Sequence, residues 1–143
     1  MRDVIPAMPT GFARRLLAYE AALERDPGAS GPVAFRVSEK LRGPLGKLLG
    51  VDGFRSLLVR ARALAAAEVP WLVELEIKAD GSWGDLDGLE EKLDARILGQ
   101  GEVFLMGQFL GLLVTFIGPA VTLRVVHDIW PKWEISDSAK KKV

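Results

Sequence analysis

Apolar positions near the start of the chain recur at helical spacing. Phe12, Leu16, Tyr19 and Leu23 are separated by 4, 3 and 4 residues, which is one face of an α-helix. Arg14, Arg15 and Glu24 fall on the other side. Thr10 precedes the run as an N-cap, so residues 1–9 are expected to form an N-terminal arm. The stretch DPGASGP at 26–32 is a loop by its proline and glycine content. Pro32 suits the first turn of a second helix. That helix is expected to end near Arg42, because Pro44 lacks an amide hydrogen and restricts Gly43 before it. A short turn, PLGKLL, would then stop at Gly50, and Asp52 would cap the next helix. There the pattern is clearest. Phe54, Leu57, Leu58, Ala61, Leu64 and Ala65 form one stripe, with Arg55, Arg60 and Arg62 off it.

After Val69-Pro70 the period changes to two. Val73, Leu75 and Ile77 alternate with Glu74, Glu76 and Lys78, which predicts a strand near residues 72–78 closed by the turn Asp80-Gly81. Its mate would come from residues 133–136, from residues 3–6, or from a second chain across a two-fold axis. The stretch DLDGLEE at 85–91 brings Asp85, Asp87, Gly88 and Glu90 together but lacks the ligand spacing of a calcium loop. A capping box is the better reading, with Asp87 as N-cap and Glu90 in the first turn. The helix that follows would use Leu89, Leu93 and Ile97 and end at Gly99 or Gly101.

Residues 103–123 hold no charge at all. A helix apolar on every side lies either in a protein core or in lipid, and this one is long enough for a bilayer core of about 30 Å. Trp130, Lys132 and Trp133 beyond it, with the lysines near the end, resemble an interfacial belt. Against a uniform span stands Gly118-Pro119, which should divide it. Arg124, His127 and Asp128 then restore an amphipathic pattern beside Leu123, Val126 and Trp130. The three amphipathic faces at 12–23, 54–65 and 89–97 also need a surface to cover, and a central apolar helix supplies one. Gly107, Gly111, Thr115, Gly118 and Thr122 follow at spacings of 4, 4, 3 and 4, a stripe of small residues where another helix can approach. The same spacing promotes helix pairing in lipid. Each interior glycine costs about 1 kcal/mol relative to alanine, so close packing is the expected reason for them. The expectation is a mainly α, single-domain bundle of five to six helices around the apolar C-terminal helix, with 134–143 as a flexible tail. Gly107, Gly111, Thr115, Gly118, Trp71, Trp130 and Trp133 are its expected helix-packing or interface residues.

Composition sharpens this only in part. A chain of 143 residues suits one domain. The absence of cysteine removes disulfides, thiolate nucleophiles and cysteine-held metals. The opening MRDVIPAMPTGFARR has no apolar core of signal-peptide length. A cytoplasmic location is therefore expected, with the inner membrane as the alternative if 103–123 spans. Charge is uneven: 11 basic against 6 acidic residues over 2–62, 3 against 10 over 63–102, and 5 against 3 over 103–143. These parts are expected to neutralise one another in the folded domain. The basic excess is too weak to predict a nucleic-acid partner.

Catalytic chemistry finds little purchase. His127 is the only histidine, and Asp128 points about 100° away from it around a helix. No serine sits in a nucleophile elbow and no glycine-rich phosphate loop is present. Trp71, Trp83, Trp130 and Trp133 read better as anchors in a core or interface than as a ligand pocket. No catalytic, cofactor-binding or metal-binding residue is assigned, and no cofactor is implied. An apolar fraction of 49% leaves surface for a copy of the chain or another protein to cover, so a homo-oligomer, with a dimer favoured, is expected.

The run AFRVSEKLRGPLGKLLGVDGFRSLLVRARALAAAEVPWL, then KADGS, then LGLLVTFIGPAVTLRVVHDIWP, resembles a group of small uncharacterised bacterial helical proteins. The resemblance covers most of residues 12–131. It implies a bacterial origin and carries no activity, cofactor or site residue. The functional expectation is a non-catalytic, self-associating interaction or scaffold protein. The alternatives are a membrane-associated protein with an apolar span at 103–123, and a small-molecule binder or enzyme with a cryptic site.

Overall fold

In a computed structural model the protein is described over residues 4–23, 31–84, 86 and 88–133, with the backbone alone for 4–10. Helix α1 covers Val4–Leu23. Residues 4–9, expected as an arm, are therefore its first turns, and Thr10 lies inside it rather than capping it. Pro6 falls in the first turn, where an amide has no helical partner to lose. Of the predicted face, Phe12 and Leu16 are buried, Tyr19 is half-buried and Leu23 is exposed at the helix end; Ala13 and Leu17 are buried beside them, and Arg14 and Arg15 are exposed.

Helix α2 covers Val33–Leu49 and passes straight through Gly43-Pro44. The break expected there does not occur. Gly43 and Pro44 are exposed, so water can reach the carbonyl that Pro44 leaves without a donor. Leu41 and Leu45, one turn apart and both fully buried, pin the helix on either side. The true break is Gly50, at φ +85°, which only glycine adopts readily. Helix α3, Val51–Ala66, follows at once, with Gly50 rather than Asp52 at its N-cap. Its predicted stripe is buried at Phe54, Leu57, Leu58, Ala61 and Ala65.

Residues 70–74 form a 3₁₀ turn, so the predicted strand shrinks to β1, Glu76–Ile77. Its mate is none of those proposed from sequence. It pairs antiparallel with β2, Trp83–Gly84, in the register Glu76↔Gly84 and Ile77↔Trp83. The turn is the expected one: Gly81 N–H donates to Lys78 O at 2.9 Å, and Lys78 N–H to Ser82 O at 2.8 Å. Gly81 packs against the Phe54 ring, where a Cβ would come within 2.7 Å. Arg55 donates to the carbonyls of Ile77 and Lys78, and Arg62 to that of Leu75. These arginines pin the hairpin to α3 and satisfy its free edge.

Helix α4 is one turn, Leu89–Lys92, with Gly88 at its N-cap. Asp85, Asp87 and residues 134–143 lie outside the described residues. The helix expected to run on to Gly99 or Gly101 stops at Leu93. Asp94 caps a new one, accepting from Arg96 N–H at 2.7 Å, and helix α5 then runs Ala95–Ile129. The fold is mainly α, with α5 as the hub. Its two most extensive packing contacts are with α1 and α3, followed by α2. Leu105, Met106, Phe109, Leu110 and Leu113 supply the inward side, and Phe109 meets the Phe54 ring edge-on at 5.6 Å.

Two carboxylates tie helices together. Glu20 of α1 is fully buried. Lys40 Nζ of α2 lies 2.9 Å from each of its oxygens, and Trp130 Nε1 donates to it at 2.8 Å. Glu102 of α5 accepts from Ala34 N–H, in the first turn of α2, at 2.8 Å. Burial pushes its carboxyl above the ordinary value; the Ala34 bond opposes the rise, Glu90 adds to it and Arg36 opposes it.

Candidate interaction surface

Helix α5 is not one rod. Gly118 has φ +85° and ψ 159°, so the helical pieces are 95–117 and 119–129. The chain folds back between them. Phe12 of α1 packs on Trp133, ring centroids 5.3 Å apart. Arg14, two residues along the same helix, shares a surface groove with Arg96, Gln100 and Phe104 near the start of α5. On a straight helix of about 1.5 Å per residue, Phe104 and Trp133 would lie about 43 Å apart. Positions two residues apart on α1 cannot reach both ends unless the chain reverses at Gly118. Proline follows naturally, since Pro119 opens the second piece where no amide partner is needed.

The first piece shows one side outward. Ile97, Gln100, Phe104 and Thr115 are exposed, and Gln108 and Gly111 half-buried, at spacings of 3, 4, 4, 3 and 4. At the reversal, Phe116 is 68% exposed, Val121 39%, and Pro119 and Ala120 are open as well. This uncharged tip and the seam leading to it form the main exposed apolar surface of α5. By length and composition α5 can cross a membrane, and only 28% of its most apolar window is buried.

The small-residue stripe divides accordingly. Gly107 is buried, Gly111 and Gly118 are half-exposed and Thr115 is exposed. A Cβ at Gly118 would meet nothing within 4 Å, so within the chain its glycine serves the backbone reversal rather than close packing. Thr115 and Thr122 each turn their hydroxyl onto a carbonyl one turn back, at Gly111 and Gly118. Close approach occurs at Gly101, outside the stripe, where a Cβ would overlap the Trp71 ring. Of the tryptophans, Trp130 is buried on Glu20. Trp133 stacks on Tyr19 at 5.7 Å, and Trp83 donates to Ser38 Oγ at 3.0 Å. Each anchors the chain to itself. His127 is exposed in the last turn of α5, and no cluster of metal-ligating side chains occurs among the described residues.

Sequence reasoning placed the break at Gly118-Pro119 but put the exposed Ile97 on a covered face and did not single out Phe104 and Phe116 as outward residues. A stretch apolar all round carries no periodic signal of which side is covered. No protein-family model, curated protein or solved structure matches the chain.

Proposed function

We propose that the protein is a non-catalytic helical interaction module that self-associates, as a dimer, through the outward side of α5. The observation that carries this reading is Phe116, 68% exposed at a tip without charge and continuous with a seam of Ile97, Phe104, Gly111 and Thr115. Large aromatics beside small residues are what a second helix needs for close, apolar contact. The reading needs no cofactor or nucleic acid and fits a cytoplasmic protein. The test is the mass of detergent-free protein by light scattering across a concentration series. A dimer is expected, and Phe104→Asp with Phe116→Asp should return it to monomer. A monomer at all concentrations overturns the reading.

A second reading, membrane association at the inner membrane, draws on the low burial of the apolar window. The reversal at Gly118 makes 119–129, about 16 Å long, too short to recross a bilayer core of about 30 Å. In this reading the tip dips into one leaflet. Flotation with vesicles that Phe116→Asp abolishes would favour it over the dimer.

A further inference from the structure

We infer that the groove between α1 and the start of α5 is a binding site for an amphipathic anion: a carboxylate or phosphate head joined to an apolar chain. The groove has a volume of about 530 Å³ and is lined, among the described residues, by Arg14, Arg96, Gly99, Gln100, Val103 and Phe104. That volume lies within the range of small-ligand sites. The lining holds two guanidinium groups and no carboxylate. Neither arginine has an ion-pair partner among the described residues, where Glu20, Glu39 and Asp80 are taken by Arg36, Lys40 and Arg42. The nearest acid in sequence, Asp94, has its Oδ1 on the Arg96 amide.

The two arginines come from different helices, so they border the groove together only in the folded chain. Guanidinium forks match carboxylate and phosphate oxygens in pairs of hydrogen bonds. Behind them the wall turns apolar. Phe104 is 39% exposed, Val103 is half-buried, and Gly99 leaves the space beside it open, with nothing within 4 Å of a Cβ. Gln100 adds an amide that can donate to the head group. A head on the arginines thus places a chain along Val103 and Phe104, which a free inorganic anion would leave uncovered. The site is built within one chain and does not rest on the dimer reading; Gln100 and Phe104 also lie on the seam, so a bound amphiphile and a second copy compete for them.

The test is calorimetric titration of the full chain with decanoate and with decyl phosphate, against acetate and inorganic phosphate. Saturable binding at one site per chain is expected for the two long-chain anions and not for the short ones. Arg14→Gln with Arg96→Gln should weaken it at least tenfold, while Arg60→Gln, an exposed arginine on α3, should leave it unchanged. Thermal melting verifies that each variant is folded. Cosedimentation with phosphatidylglycerol vesicles, lost in the same double variant, would identify a bilayer head group as the source. Binding of the two long-chain anions without cosedimentation would identify a free amphiphile. The titration is run at a concentration where light scattering gives the monomer, so that a second copy cannot mask the groove; absent binding, equal binding of acetate, or affinity unchanged in the double variant then overturns the assignment.

Discussion

Glu102 is a carboxylate at 9% exposure whose burial outweighs its hydrogen bond from Ala34. Because its folded-state pKa lies above the ordinary 4.5, the folded protein holds that proton more tightly than the unfolded chain. Its contribution to stability is therefore fully present below that value and is lost as pH rises through the raised one. Glu102→Gln keeps an acceptor for Ala34 and removes the charge. Thermal melts at stepped pH should show the variant gaining on the wild type as pH rises; a difference independent of pH would mean that the carboxylate is well solvated. Glu20, by contrast, has a cation in contact, Lys40. Lys40→Ala leaves Glu20 with the Trp130 bond and with Arg36 at 3.8 Å; since the lost lysine is partly exposed, a cost of about 2 kcal/mol is expected. Glu20→Gln keeps the Trp130 acceptor and should cost about 1 kcal/mol. Urea unfolding of both variants checks the order. Two glycines separate packing from propensity in the same way. Gly101→Val meets the Trp71 ring and should destabilise by about 1–3 kcal/mol. Gly99→Ala meets nothing and should stabilise by up to about 1 kcal/mol.

At the level of elements, two Gly-Pro pairs behave differently. Gly43-Pro44 lies on an exposed turn flanked by buried Leu41 and Leu45, and the helix continues. Gly118-Pro119 follows a segment already at the edge of the core, and the backbone reverses. Sequence pattern identifies the pair but not the packing on either side, so it reads the second correctly and the first wrongly. The amphipathic stripe of α3 was legible because Phe54 through Ala65 alternate with charge. The short hairpin was half legible: its turn was readable at Asp80-Gly81. Its mate was not, because a two-residue strand has no period. In the sequence Arg55 and Arg62 stand out only as positions off the stripe, yet they hold the hairpin through main-chain carbonyls, a role that no spacing announces. Gly118→Ala tests the reversal by itself. Open space surrounds the position, so any loss comes from the backbone, and about 1–3 kcal/mol is expected for a residue with a side chain at φ +85° and ψ 159°. A melting temperature equal to wild type would show that the two helical pieces can join at another angle without cost.

For the molecule as a whole, the question is why so apolar a helix keeps an open side. Helices α1, α2 and α3 cover α5 from within and present Arg14, Arg15, Glu39, Lys47 and Arg60 to water. A bilayer enclosing α5 on all sides would have to take in those charges, each costing about 2.5–3.5 kcal/mol for arginine or lysine at mid-depth. Contact on the outward side alone avoids that cost, whether with a second copy or with one leaflet. Gly111 separates these two. It is half-exposed on the seam, where a close helix–helix approach needs a small residue and lipid chains do not. Gly111→Leu should therefore weaken self-association at least tenfold, about 1.4 kcal/mol, and leave vesicle binding unchanged or stronger. Sedimentation equilibrium and flotation on the same sample measure both. If the leucine variant associates as tightly as the wild type, the contact does not run along this seam, and the exposed tip at Phe116 is left as the surface that must account for it.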